Sequence, residues 1–482
     1  MIMADRSFRT IGLVGVGLLC GLVVVRTIAG PTNSAVRETV LARIPATAGG
    51  GKPLVSSDNR QVAFPVMHRG KWCVSLNGVE SELYTSVSEL TFSPDGKRLA
   101  FAARRELSRN LVVLDGKEGA EYEYLPDSLT FSPDSRRLAF LSGNSKASFV
   151  LLDGKPGPDF EMLCAGLDRR LFFFSPDGQK LAYGGKRKAP DGGMTTEVVI
   201  ESKHREIIPA ADNAIVDGFS PDGQHLAWSV QRSNRWQVIV DGKTGPLFDQ
   251  IGEGSFRFSS NSQHTAYFAN QGGSWMGVLD GKTGPPFDAI GDDAPVLSTD
   301  GRRWAYVGVR GKQRLVVMNG QEGAAYDGVD AGSLQFSPDG QHVAFGAVRG
   351  LRHFVVRDGK EQEAGDAGLR MMFFSPDSRH LAYAAAHNGR ARVFVDDKPG
   401  KDYDGLADKW ACFSPDSKHL AYGAARDKML VLVLDDQEFG VYEGNLGTLV
   451  FEGPNILCGV VTRLDEKFNF EVVRLEIQVT SK

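Results

Sequence analysis

The segment FSPDGKRLAF, starting at Phe92, returns almost letter for letter as FSPDSRRLAF at Phe131, 39 residues on. The same anchor position falls at Val55, Phe92, Phe131, Phe174, Phe219, Phe258, Leu297, Phe336, Phe374, Phe413 and, weakly, Phe451, at intervals of 37 to 45 residues. A period near 40 carried ten times marks a repeat architecture, in which each unit is a small supersecondary element that buries its apolar faces against its neighbours.

Each repeat can be parsed physically. Ser-Pro-Asp-Gly suits a type I turn position by position, with proline presetting φ at the second place. A short apolar stretch precedes this turn and another, such as RLAF, follows it. Some twenty-two residues after most anchors comes Asn77-Gly78, Asp153-Gly154, Asp241-Gly242, Asp280-Gly281, Asn319-Gly320 or Asp358-Gly359, dipeptides that accept the φ > 0 pair of a type I′ hairpin. Each unit therefore holds four short strands. In the second strand Leu99 and Phe101 face one way and Ala100 and Ala102 the other. Both faces are apolar, so both are covered, large residues of one unit against small residues of the next. Four-stranded sheets stacked face to face in a ring make an all-β fold, the β-propeller.

The motif FSPDGxxLAF resembles the TolB-like, WD-repeat-like propeller repeats of bacterial envelope proteins, and the resemblance covers residues 51–482. It implies a propeller of about eleven four-stranded repeats and an envelope setting. TolB itself carries a sizeable α/β domain ahead of its propeller, whereas some fifty residues precede the repeats here, so TolB's partners are not carried over. Propellers have typically four to eight blades. Eleven units then mean either two tandem propellers or one large ring. The weakened anchors at Phe258 and Leu297 favour a boundary between two propellers.

With 482 residues, 42% hydrophobic and 24% charged, the chain can bury a large core. A net charge of −4 with interspersed signs gives no concentrated basic surface for nucleic acid. Ahead of the repeats, Arg6 and Arg9 precede a charge-free run from Ile11 to Val25, and the small residues Thr27 to Ala29 follow Arg26. This describes a secretory signal, or an uncleaved anchor helix within residues 1–30, the only contact with a membrane that the sequence suggests. Residues 31–50 are largely polar and suit a linker. Export follows, to the periplasm or another extracytoplasmic site. Cys73, Cys164, Cys412 and Cys458 sit in apolar contexts without CxxC spacing, which disfavours a zinc motif and leaves disulfide pairing open.

Few residues invite chemistry. A basic group stands six places after the anchor, at Arg98, Arg137, Lys180, His225, His264, Arg303, His342, His380 and His419. Equivalent atoms in adjacent blades lie too far apart for one metal, so hydrogen bonding is the expected role and no metal is assigned. Acids follow an aromatic at Asp249, Asp288, Asp327, Asp404 and Glu443, where they would guard the outer edge of the blade. No G-x-S-x-G elbow occurs. DGKTGPLF at Asp241 and DGKTGPPF at Asp280 faintly resemble a quinoprotein turn, but Phe248 and Phe287 replace its tryptophan, so no cofactor is expected. One departure from the repeat is sharp: GGKRKAPDGGMTTE, residues 184–197, lengthens the connection between the second and third strands of the fourth unit. It carries Lys186, Arg187 and Lys188, the densest basic cluster and the candidate partner-binding residues. The expectation is a non-enzymatic scaffold that binds protein at the envelope. The rival is a propeller enzyme or lyase-like carbohydrate binder using polar residues of the central funnel.

Overall fold

The computed structural model describes residues 25–29, 35–44 and 52–479, apart from 107–108, 126–127, 145–146, 165–170, 189–192, 201–203, 209–210, 366 and 468. The described residues form eleven antiparallel sheets, one for each anchor. Blade 2 shows the pattern, a meander of Ser86–Phe92, Leu99–Glu106, Arg109–Leu114 and Lys117–Tyr122. Blades 1 to 10 occupy 54–80, 86–122, 130–156, 162–208, 213–244, 250–283, 289–326, 328–365, 367–403 and 405–442. First strands touch the first strands of neighbouring blades, which places them innermost.

The turns form as their residues dictate. In blade 2 the Gly96 N–H donates to the Ser93 carbonyl at 2.8 Å, closing the type I turn. The Ser93 hydroxyl donates to Asp95 at 2.6 Å and accepts the Arg98 N–H at 3.0 Å. At the other hairpin, Asp241 and Gly242 have φ of +49° and +75°, the expected type I′ pair. Asp115-Gly116, Asp396-Asp397 and Asp435-Asp436 adopt the same conformation.

Blade stacking follows the alternation read from strand two. Leu99, Phe101 and Ala103 join Ala63 and Val74 of blade 1, while Ala100 and Ala102 receive Leu138 and Phe140 of blade 3. Each such Leu or Phe contributes about 1.5–3 kcal/mol when taken from water. Equivalent clusters fill every junction in order, and another joins blade 11 to blade 1 through Val460, Val472, Val62 and Phe64. No cluster among the described residues links blades that are not neighbours. The expected division into two propellers is thus replaced by one closed ring. Spread over eleven blades, a full turn leaves roughly 33° between neighbours, less than in rings of four to eight. Weak anchors did not mark a boundary, because Leu297 and Phe258 still pair with their own second strands.

Blade 11 closes the ring with both ends of the chain. Gly444–Phe451, Ile456–Leu464 and Phe470–Gln478 supply three strands, and Ala35–Ile44 supplies the fourth, with Val25–Ala29 beyond it. The stretch that composition assigned to a linker is therefore structural from 35 to 44. The apolar run expected as a signal or anchor lies outside the described residues up to residue 24. Val25–Ala29 are a strand, not the end of an anchor helix reaching residue 30. No helix among the described residues is long and apolar enough to cross a membrane.

Candidate binding surface

Serine, histidine and aspartate recur together in the blades, but not in the arrangement of a hydrolytic triad. His225, His264, His342, His380 and His419 each place Nδ1 2.6–2.8 Å from the aspartate of their own blade's type I′ turn, Asp241, Asp280, Asp358, Asp396 and Asp435. The other oxygen of that aspartate accepts the next backbone N–H, for example from Leu226 at 3.0 Å. Arg98 and Arg137 make the equivalent pairs with Asp115 and Asp153. The serine of each blade is not aimed at the imidazole: Ser220 donates to Asp222 and accepts the His225 backbone N–H. It is also fully buried. This network ties the two turns on one face of each blade together, as expected for the basic position.

The acids after the aromatics are placed differently from the expectation. Asp249, Asp288, Asp327 and Asp404 do not guard the outer edge. Their backbone N–H groups bond to the second strand of the following blade, and their carboxylates accept the first N–H of that blade's second turn, from Gly272, Gly311, Gly350 and Asp427, each at 2.7 Å. They sit at the crossover between blades, each one residue ahead of the next blade's first strand. Inner-strand acids are engaged in the same way: Glu89 accepts the Leu129 N–H at 3.0 Å, Asp330 accepts the Leu369 N–H at 3.2 Å, and Asp293 accepts from Gly332.

Lys186, Arg187 and Lys188 end the second strand of blade 4, Leu181–Lys188, rather than lying in a loop. They pair in register with Thr196, Thr195 and Met194. Gly184 and Gly185, which looked like loop flanks, are strand residues. A Cβ on Gly185 would come within 2.4 Å of the Phe160 ring, so the strand needs glycine to seat the preceding blade's aromatic. Arg187 stands 3.7 Å from the buried carboxylate of Glu197. Lys186 and Lys188 share the opposite side of the strand by alternation, and Lys188 is exposed. The tip, 189–192, lies outside the described residues.

Sequence reasoning missed a recess on the inner wall of the neighbouring sector. A cavity of about 650 Å³ is lined by Phe173 and Phe174 of blade 4, Val216 and Phe219 of blade 5, and Phe256 and Phe258 of blade 6, with Asp217 and Arg257 at its polar edge. A bulge between Val216 and Gly218 turns Asp217 so that it accepts the Ser229 hydroxyl at 2.7 Å. The signal was the doubled aromatics beside the anchors, Phe173 before Phe174 and Phe256 before Phe258. A second cavity, about 770 Å³ between blades 9 and 10, is lined by His380, His419 and Asp435, all members of the turn network. Cys73, Cys164, Cys412 and Cys458 are unpaired thiols, and burial pushes Cys412 up to about 12.

No protein-family model matches the chain, and no curated protein does. Among solved structures it is similar to "the eukaryotic initiation factor" at 13% identity and a TM-score of 0.38, over 73% of this chain and 95% of that one. It is similar to TolB from Acinetobacter baumannii at 14% identity and 0.26, over 56% and 77%, and to the β-propeller domain of the Trilobed protease from Pyrococcus furiosus at 14% and 0.29, over 66% and 97%. Likeness this distant assigns no activity or partner. The ring's own topology sets the class: a closed all-β propeller of eleven blades.

Proposed function

We propose that this propeller is a non-enzymatic scaffold that binds a protein partner, exported to the cell envelope, and that blades 4 to 6 form the contact. One observation carries the reading. The recurrent histidines and turn aspartates are taken up in hydrogen bonds within their own blades, and the inner acids Glu89, Asp293 and Asp330 in bonds to the next blade, while blades 4 to 6 combine an inner recess lined by phenylalanines with the basic hairpin end of Lys186 and Lys188. Aromatic pockets anchor protein partners, and exposed cations set encounter rate and orientation toward an acidic one. Export is supported by the basic N-terminus and the apolar run after it. The rival enzyme or carbohydrate binder needs acids converging with a base in the funnel. Glu89, Asp293 and Asp330 instead bond the next blade, which favours the scaffold.

The test is cross-linking mass spectrometry on the full chain captured from envelope extract. Cross-links from the partner should map to blades 4 to 6 and fall when Lys186 and Lys188 are changed to Ser. Contacts confined to other blades would place the binding face elsewhere, and turnover of a polysaccharide by the purified chain would favour the rival.

A further inference from the structure

At the end of its second strand blade 1 departs from blades 7, 8 and 10, and the departure gathers three metal-ligating side chains. In blades 7, 8 and 10 an arginine ending the second strand forks onto a glutamate of the fourth: Arg310 on Glu322, Arg349 on Glu361, Arg426 on Glu438, at 2.7–2.9 Å. The third-strand residue in the same register beside each pair is apolar, Leu315, Phe354 or Val431. Such a pair satisfies itself and offers nothing to a cation. Blade 1 keeps the glutamate, as Glu80, but has His68 for the arginine and Cys73 for the apolar residue.

The register puts all three on one face of the sheet. Cys73 pairs with Val66, two residues before His68, and Glu80 pairs with Ser75, two after Cys73. His68 Nε2 lies 3.0 and 3.1 Å from the two Glu80 oxygens, and one ligand atom from each of the three falls within 4.8 Å of the others. A further change goes with these. In front of blades 8 and 10 the preceding blade lays a tyrosine ring over the arginine and bonds the glutamate, Tyr326 to Arg349 and Glu361, Tyr403 to Arg426 and Glu438. In front of blade 1 the register of the closing strand puts Ala42 where blades 7 and 10 have Tyr326 and Tyr442, so no ring or hydroxyl competes for Glu80.

We propose that His68 Nε2, Cys73 Sγ and the Glu80 carboxylate bind zinc or a similar borderline divalent cation, with a fourth position open to solvent. Nitrogen, sulfur and oxygen donors with one open position suit that ion. His68 and Glu80 are 48% and 47% exposed, which gives the ion a way in, while Cys73 anchors the site from within the seam between blades 1 and 11. On binding, the Cys73 thiol gives its proton to solvent and the thiolate takes the metal. Without metal the thiol stays neutral, since burial and Glu80 push it up to about 11, and it is no reactive nucleophile.

The test uses the untagged full chain, stripped with chelator and titrated with zinc chloride, then with cobalt chloride as a spectroscopic stand-in. One equivalent should bind, and cobalt should give a thiolate charge-transfer band in the near ultraviolet. His68→Arg and Cys73→Leu install residues that other blades already hold there. Each should weaken binding at least tenfold, and Cys73→Leu should remove the band. Glu80→Gln serves as a third variant should either fail to fold. Absence of a stoichiometric site in the parent chain, or equal binding by the folded variants, overturns the proposal.

Discussion

Glu38, in the N-terminal strand, accepts the Tyr442 hydroxyl at 3.5 Å across 404 residues of chain. Arg463 donates one N–H, from Nη1, to the same carboxylate and another, from Nε, to Glu471. The trio repeats one seen at other junctions, where Tyr403 and Arg426 meet Glu438, and Tyr326 and Arg349 meet Glu361. The strand Ala35–Ile44 thus carries the side-chain code of a fourth strand and not merely its backbone.

Replacing Glu38 with Ala should cost about 1–3 kcal/mol, because Tyr442 is buried and loses its acceptor. Deleting residues 1–44 should do more. It bares the edge of Phe470–Gln478, where Val472, Val473, Leu475 and Ile477 are buried, and an uncovered strand edge invites self-association. Light scattering and thermal melts read both. A truncated chain that stays monomeric with an unchanged melting temperature would show that the closure is dispensable.

The eleven blades were legible in the anchors from Val55 to Phe451 because each blade is local, with strands joined by turns whose residues announce them, but their union in one ring was not, since the weak anchors at Phe258 and Leu297 read as a boundary between two propellers. Closure was not legible. Ala35–Ile44 pairs with Phe470–Gln478 more than four hundred residues away, and no turn residue links them. Its alternation of Val36, Glu38 and Val40 is the only trace, and a bulge after Val40 interrupts it. The basic residues of blade 4 were found, but the strand they end was not, since glycines read as loop where an aromatic of the preceding blade needs the space.

Four turns replace their last glycine with serine at positive φ, Ser135, Ser262, Ser378 and Ser417. In each, the serine Oγ accepts the backbone N–H of the preceding blade's turn aspartate at 2.9–3.0 Å, from Asp95, Asp222, Asp339 and Asp377. Ser378→Ala should cost about 1 kcal/mol, as it keeps the left-handed backbone and orphans that donor. Ser378→Gly should cost less, because glycine relieves the backbone while losing the same bond. Denaturant midpoints in the reverse order would sink this account of the junction.

At the other hairpin, Gly242→Val forces a β-branched residue to φ +75° and should cost about 1 kcal/mol or more. Asp397 looks exempt, since its repeat already lacks glycine, yet its φ is +64° and it accepts the Tyr383 hydroxyl at 3.1 Å. Asp397→Val should therefore be at least as costly. A midpoint loss clearly smaller than that of Gly242→Val would count against it.

Eight turn aspartates, Asp95, Asp134, Asp177, Asp222, Asp300, Asp339, Asp377 and Asp416, are held below the usual value of 3.8, first by the serine hydroxyl two residues earlier. Depressed folded values mean that their contribution is complete above the unfolded value and is lost as pH falls through the folded ones. The urea midpoint should hold down to about pH 5 and drop steeply below about 4. A flat profile from pH 5 to pH 3 would contradict the shared role of these carboxylates.

The basic hairpin of blade 4 should divide into two kinds of residue. Arg187 faces Glu197, whose side chain is 5% exposed, so Arg187→Ser should cost about 1–2 kcal/mol by leaving a buried acid without its cation. Lys186 and Lys188 lie on the other side of the strand, and changing both to Ser should stay within about 0.5 kcal/mol. Their loss should instead slow association with an acidic partner at low salt, with the difference shrinking as ionic strength rises. Melting curves separate the two kinds without any partner in hand. Equal stability losses for Arg187→Ser and the double lysine variant would mean that the cations play one role, and that the division of this strand into a structural and a presenting side is wrong.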